Sequence, residues 1–107
     1  MYAHPQHNAG DSVKTLRREA GAWLRGMRES RGLSQRDLAT LVGVDYYTFI
    51  SQIEAGRGRI PPDRYEAWAE ALGTETSLFV RKLMRFYDPV TYGLLFPQDL
   101  PRPANSV

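Results

Sequence analysis

The sequence predicts an all-α domain of five helices, with a flexible polar arm in front and an apolar extension behind. Between Ser12 and Tyr87, apolar residues recur at three- and four-residue steps, the spacing of one helix face, and no strand-period segment of useful length appears before residue 90. These runs are punctuated by Gly32, Gly43, Gly56 and Gly73, each placed where a helix can end in the left-handed conformation that glycine adopts at no steric cost. Size sets the third bound: 107 residues, 42% of them apolar, can bury one modest core but not two.

Residues 1–11 are polar, contain proline and glycine and have no period, so they read as the arm. His4 and His7 lie there without a third histidine nearby and are expected to be solvated; no metal and no cofactor are expected. Ser12 is the expected cap of a first helix over about 12–31, with Val13, Leu16, Ala20, Trp23, Leu24 and Met27 inward. Lys14, Arg17, Arg18, Arg25 and Arg28 are assigned to the opposite face as a solvated basic stripe, a phosphate-facing role being the alternative.

Ser34, with Asp37 three residues on, forms a capping-box variant that opens a short second helix, whose apolar side is Leu38, Ala39, Leu41 and Val42. Gly43 turns the chain and Val44 continues the core. Asp45 is the expected cap of a third helix over 46–55, with Phe49 or Ile50 and then Ile53 buried. Pro61 and Pro62 suit the first turn of a fourth helix carrying Tyr65, Trp68, Ala69 and Leu72 inward. Thr74 or Thr76 is expected to start a fifth, which Asp88-Pro89 ends, because a residue before proline is pushed out of the helical region. The domain is therefore bounded at 12–88, with 89–107 as the C-terminal extension.

The absence of cysteine excludes disulfides, thiolate metal sites and a cysteine nucleophile. "MYAHPQHNAGDS" has neither the basic nor the apolar region of a secretory signal, and no apolar run approaches the roughly 18 residues of a membrane span, so a cytoplasmic, nucleoid-associated location and no membrane partner are expected. The formal charge of +2 is uneven. Residues 12–60 carry nine Lys/Arg against five Asp/Glu, whereas 61–107 carry five against six, so an anionic partner is favoured at the front half. Glu54, Asp63, Glu66 and Glu70 are accounted for as caps, dipole partners and solvated groups without any catalytic pairing, and no enzymatic activity is expected.

Two short capped helices joined by a tight turn, within a small helical domain with a basic front half, have the layout of a DNA-binding helix-turn-helix unit. "LRGMRESRGLSQRDLATLVGVD", "ISQIEAGRGRIPP" and "YEAWAEALG" together resemble the Cro/repressor-type, or xenobiotic-response-element, family of helix-turn-helix regulators over roughly residues 22–80. The resemblance rests on Leu33-Ser34-Gln35, Leu38-Ala39, Gly43-Val44, Ile50-Ser51-Gln52-Ile53-Glu54 and Ala71-Leu72-Gly73. It implies a transcription regulator, more specifically a repressor, that binds double-stranded DNA at a palindromic operator as a homodimer. An antitoxin or adaptor with a protein partner is the alternative.

One departure from the family pattern matters. Its turn glycine and the second isoleucine of the "IxxIE" word lie nine positions apart, whereas Gly43 and Ile53 are ten apart, so one residue has been added within "VDYYTF". Counting back from Ile50 and Ile53, the resemblance places Tyr47, Thr48 and Gln52 at base contacts and Ser51 at the backbone. Gln35 and Arg36 open the second helix, where free N–H groups face a phosphate, and Arg57 and Arg59 sit on a glycine-flanked loop suited to phosphates. Tyr46, four before Ile50, is given an inward or wedge role in this interface and Tyr47 the outward one, since adjacent helical residues differ by about 100°.

In the fifth helix Phe79, Val80, Leu83, Met84, Phe86 and Tyr87 cover about 160° of the wheel, wider than the stripe of roughly 100° that one packed face needs. The following "VTYGLLF" is also too apolar for a disordered tail; only "PQDLPRPANSV" beyond it reads as unstructured. Dimerisation is therefore assigned to Val80, Leu83, Met84, Tyr87, Leu94, Leu95 and Phe96, with residues 90–96 extended across a partner or pairing as a short strand. Folding back of this segment onto its own helices is the alternative.

Overall fold

The computed structural model describes residues 5–99. Six α-helices follow one another: α1 (Pro5–Ser30), α2 (Gln35–Val42), α3 (Tyr47–Glu54), α4 (Tyr65–Ala71), α5 (Thr76–Tyr87) and α6 (Pro89–Leu95). Short 3₁₀ turns occupy Pro62–Arg64 and Pro97–Asp99, and no strand occurs among the described residues. The all-α reading holds, with one helix more than the five expected.

The first helix begins at Pro5 rather than Ser12. Proline's fixed φ suits a first helical turn, and Gly10 weakens a helix without breaking it, so residues 5–11 join α1 and Ser12 is an exposed interior position instead of a cap. His4 and the side chain of His7 lie outside the described residues. At the other end Gly32, with φ of 72°, turns the chain as expected.

Ser34 and Asp37 form the reciprocal capping box: the Asp37 N–H donates to Ser34 Oγ and the Ser34 N–H to Asp37 Oδ2, each at 2.9 Å. Three later starts differ from expectation. Tyr46, not Asp45, occupies the cap position of α3 and makes no side-chain hydrogen bond there. A 3₁₀ turn at Pro62–Arg64 leads into α4, and α5 is capped by the Glu75 carboxylate, which accepts from the Leu78 N–H at 3.2 Å, rather than by Thr74 or Thr76. The largest change is at Pro89. It ends α5 but also supplies the first turn of α6, capped by Asp88, whose Oδ1 accepts from the Thr91 N–H at 3.1 Å. Residues 90–96 are thus helical through Leu95, neither extended nor a strand.

One core unites the helices: Leu24, Leu38, Ile50, Ile53, Ile60, Trp68, Phe79 and Leu83 are all essentially inaccessible to solvent. Trp23 joins α1 to α5 by stacking on Phe79 with ring centroids 5.5 Å apart. Tyr87 is buried, and its hydroxyl accepts from the Ile60 N–H at 3.1 Å. Leu83 and Tyr87 are therefore core residues and leave the dimerisation set, because α5 spends that part of its wide apolar arc inside its own chain. α6 packs on α5 through buried Tyr92, whose hydroxyl donates to Asp99 Oδ2 at 2.6 Å. Arg81 donates to the same oxygen at 2.5 Å and lies 4.1 Å from the Phe96 ring centroid. Pro97–Asp99, expected to be unstructured, is thereby part of the fold; the tail beyond lies outside the described residues.

Carboxylates fasten these junctions, which gives the fold an acid limit. Asp37 is held below the ordinary carboxylate range by the Ser34 N–H and hydroxyl, Glu75 by the Ser77 hydroxyl, Asp88 by Thr91, and Asp99 by the Tyr92 hydroxyl and then Arg81. A folded-state pKa below the unfolded one means stability fully present above about pH 4 and lost as pH falls through the lowered values. Melting temperature should decline below about pH 4, with a shallower decline in Asp37→Asn, which loses one titrating contributor. An unchanged slope in that variant would remove the capping box from the account.

Candidate nucleic-acid interface

The two helices of the candidate site are positioned from behind. Gly43, with φ of 77°, ends α2, the Val44 N–H donates to Ala39 O at 2.9 Å, and Arg64 reaches back to Val42 O at 3.3 Å, where a cation suits the negative end of a helix. Four residues, 43–46, connect α2 to α3. α3 runs unbroken from Tyr47 with Ile50 and Ile53 buried.

The C-terminal end of α3 is set against α1 by backbone approach. A Cβ on Gly21 would stand 2.1 Å from the Glu54 carbonyl oxygen, and one on Gly56 would stand 2.9 Å from the Arg18 Cα. Beside this crossing, Arg28 donates through Nε and NH2 to the two Glu54 carboxylate oxygens at 2.7 and 3.0 Å. The same guanidinium donates to Leu33 O at 2.7 Å, and Gln35 Nε2 donates to Glu54 Oε1 at 3.1 Å. One carboxylate therefore joins α1, the start of α2 and the end of α3. Arg28 is only 7% exposed, so it is not part of a solvated stripe. Its hydrogen bonds to Glu54 raise its pKa further, which keeps the charge in place.

With its inner side fixed, α3 turns polar and aromatic groups outward. Thr48 and Gln52 are exposed and Ser51 is half-buried. Tyr47 is 39% exposed and lies under the Arg36 guanidinium, 4.6 Å from its ring centroid, a cation–π arrangement that leaves both residues at the surface. Tyr46 is 75% exposed, so the inward role does not hold for it: it precedes the helix in extended conformation, and the i to i+4 relation to Ile50 applies only within a helix. Arg36, Ala39, Thr40, Val44, Asp45, Tyr46 and Tyr47 line an open cleft of about 360 Å³ between the two helices.

The flanking cations are also placed by contacts within the chain. Arg57 is exposed and donates through Nε to Gln52 Oε1 at 2.8 Å. Arg59 is exposed and lies over the Tyr87 ring at 4.6 Å, with Arg17 of α1 over the same ring at 5.5 Å. The structure thus gathers Tyr46, Tyr47, Thr48, Gln52 and Arg57 along α3 and its two flanking turns, with Arg36 of α2 beside them over Tyr47. Gln35 is instead half-buried, with its amide nitrogen engaged by Glu54.

Arg28, expected on a solvated face, and Glu54, expected as a cap, dipole partner or solvated group, instead form a buried pair that with Gly21, unremarked in the sequence, holds the site in place. A signal for Arg28 existed, since Ala20, Leu24 and Arg28 form an i, i+4, i+8 row whose first two members are core. No local signal could pair it with a residue 26 positions away.

No helix among the described residues is long and apolar enough to cross a membrane. No curated protein matches the chain. Residues 19–81, more than half of the chain and spanning the α1 C-terminal half through the middle of α5, match the model of a family described as a helix-turn-helix domain. The match takes in α2, the four-residue turn and α3, and the chain belongs to the helix-turn-helix domain family, of the Cro/repressor type.

Proposed function

We propose that this chain is a sequence-specific double-stranded DNA-binding transcription regulator, a repressor that acts as a homodimer on a palindromic operator within the cytoplasm. The observation that carries this is the division of α3. Its inner side is immobilised by Ile50, Ile53 and the Arg28–Glu54 pair, while its outer side offers Tyr47, Thr48 and Gln52 between Arg36 and Arg57. A rigid helix with hydrogen-bonding side chains outward and cations on its flanks suits a major groove between two phosphate backbones. Such a protein works by occupying DNA and needs no catalytic group.

Dimerisation is supported by the outer surface of the C-terminal helices. Leu94 and Leu95 are 78% and 62% exposed and Val90 is 72% exposed, while Val80, Met84 and Phe96 are half-buried. A two-fold contact through α6 would bury Val90, Leu94 and Leu95, and on a palindromic operator it has to hold two copies of α3 about one DNA turn, roughly 34 Å, apart.

A mobility-shift assay on sites selected from random duplex tests the reading. The expected result is a complex of two protomers with a dissociation constant on the order of 10⁻⁸ M at physiological salt, weakening steeply as salt rises because phosphate-bound counterions are released. Absence of preference over random duplex at every salt concentration would overturn it. Specific binding by a monomer, shown by light scattering on the complex, would reassign the α6 surface to a protein partner, as in an adaptor or antitoxin.

A further inference from the structure

Arg57 is tied to Gln52 twice, and the double tie bears on which base the site reads. The turn after α3 is a Schellman motif. Gly56 has φ of 82°, its N–H donates to Ile53 O at 3.1 Å, and the Arg57 N–H donates to Gln52 O at 2.9 Å. This backbone arrangement returns the Arg57 side chain over Gln52, where Nε donates to Gln52 Oε1 at 2.8 Å. A guanidinium has donors only, so the amide oxygen and not the nitrogen must face it, and the orientation of the Gln52 amide is chemically determined. The Gln52 NH2, which the Nε contact does not use, keeps its donors, as does the rest of the Arg57 guanidinium. Together the two exposed side chains present donors.

Major-groove edges differ in what they ask of such a pair. Adenine offers one acceptor and one donor, N7 and N6–H, and a free glutamine satisfies both with its nitrogen and oxygen. Guanine offers two acceptors, N7 and O6. With one lone pair of its oxygen taken by Arg57 and a donor-only guanidinium beside it, Gln52 is less suited to the N6 donor of adenine than a free glutamine and better suited to the two acceptors of guanine. Resting on the reading of α3 as the recognition helix, we propose that Arg57 is a positioning residue that turns Gln52 into a reader of guanine, rather than only a phosphate anchor.

The test compares full-length protein and variants on duplexes that differ only at the base pair whose preference Gln52→Ala relaxes. Wild type should favour guanine over adenine there by about tenfold. Arg57→Ala should bring the ratio close to one or invert it, in addition to weakening every duplex. Arg59→Ala, which removes the same charge without touching Gln52, should weaken every duplex and keep the ratio. Both arginines are exposed, and equal melting temperatures would confirm that each variant is folded. The inference is overturned if Arg57→Ala keeps the ratio as Arg59→Ala does, if wild type prefers adenine at that position, or if Gln52→Ala relaxes no position. In all three outcomes specific binding survives and the regulator reading stands. Wild type that prefers no duplex overturns both.

Discussion

Glu54→Ala should cost about 3–5 kcal/mol of stability, the range for breaking a buried ion pair by removing one partner. The cause is what stays behind. Arg28 keeps its charge at 7% exposure and loses two hydrogen bonds, and Gln35 loses the acceptor of its amide. Against the 5–15 kcal/mol, roughly, that separates folded from unfolded small domains, such a loss leaves a marginal fold. Removing both charges is a different experiment. Arg28→Met with Glu54→Met should be far less destabilising than Glu54→Ala alone, since no unpaired charge is then buried and the volumes are nearly kept. Urea unfolding of the three proteins decides. If Glu54→Ala lies within about 1 kcal/mol of wild type, where exposed ion pairs fall, the carboxylate does not fasten α1, α2 and α3 together. Specific DNA binding should decline in the single variant even below its unfolding midpoint, because the ends of α2 and α3 lose their common anchor.

That pair also marks the boundary between what was legible in the sequence and what was not. Chemistry that acts over three or four residues could be read directly. The Ser34–Asp37 capping box, the glycine turns at 32, 43, 56 and 73, and the buried Ile53 all follow from local rules and are present in the structure, which also decides for Ile50 over Phe49 as the other buried residue of α3. Contacts between distant segments were invisible, among them Arg28 with Glu54 and the backbone of Gly21 under that of Glu54. The misreadings came from ambiguous local signals. Asp88-Pro89 is a stop for α5, but proline preceded by a capping aspartate is equally a start, and α6 results. Because α6 was not foreseen, the excess of the wide apolar arc of α5 was assigned to a second copy with Leu83 and Tyr87 included, although these two are buried within one chain. Tyr46 was turned inward by a helical argument applied one residue before the helix begins. At the site itself residue types pointed outward correctly for Thr48 and Gln52. The engagement of Gln35 by Glu54 and of Gln52 by Arg57 required the fold.

Two glycines in α1 should respond to alanine in opposite directions. A helical glycine replaced by alanine ordinarily gains about 0.5–1 kcal/mol, since the chain loses less conformational freedom on folding. Gly26 meets the condition for that gain: it is exposed, and a Cβ there would have nothing within 4 Å. Gly21 does not. Its Cβ would stand 2.1 Å from the Glu54 carbonyl oxygen, 2.6 Å from the Glu54 carbonyl carbon and 2.9 Å from the Ile53 carbonyl oxygen. All three are backbone atoms at the end of α3, so no side-chain rotation relieves the overlap. Relief requires the helices to move apart by about the difference from an ordinary contact near 3.5 Å, which would loosen Ile53 and lengthen the Arg28–Glu54 bonds nearby. Overpacking of a core costs about 1–3 kcal/mol, occasionally more, and an encounter with backbone at a helix crossing belongs at the upper end. Gly21→Ala should therefore be destabilised by about 3 kcal/mol or more in urea while Gly26→Ala is slightly stabilised. In duplex binding Gly26→Ala should match wild type, whereas Gly21→Ala should lose base preference while it is still folded, because α3 is displaced relative to the α1 frame that carries it. A Gly21→Ala protein as stable as Gly26→Ala would mean that α1 and α3 do not cross backbone to backbone, and the positioning of the recognition surface would have to rest on the Arg28–Glu54 pair alone.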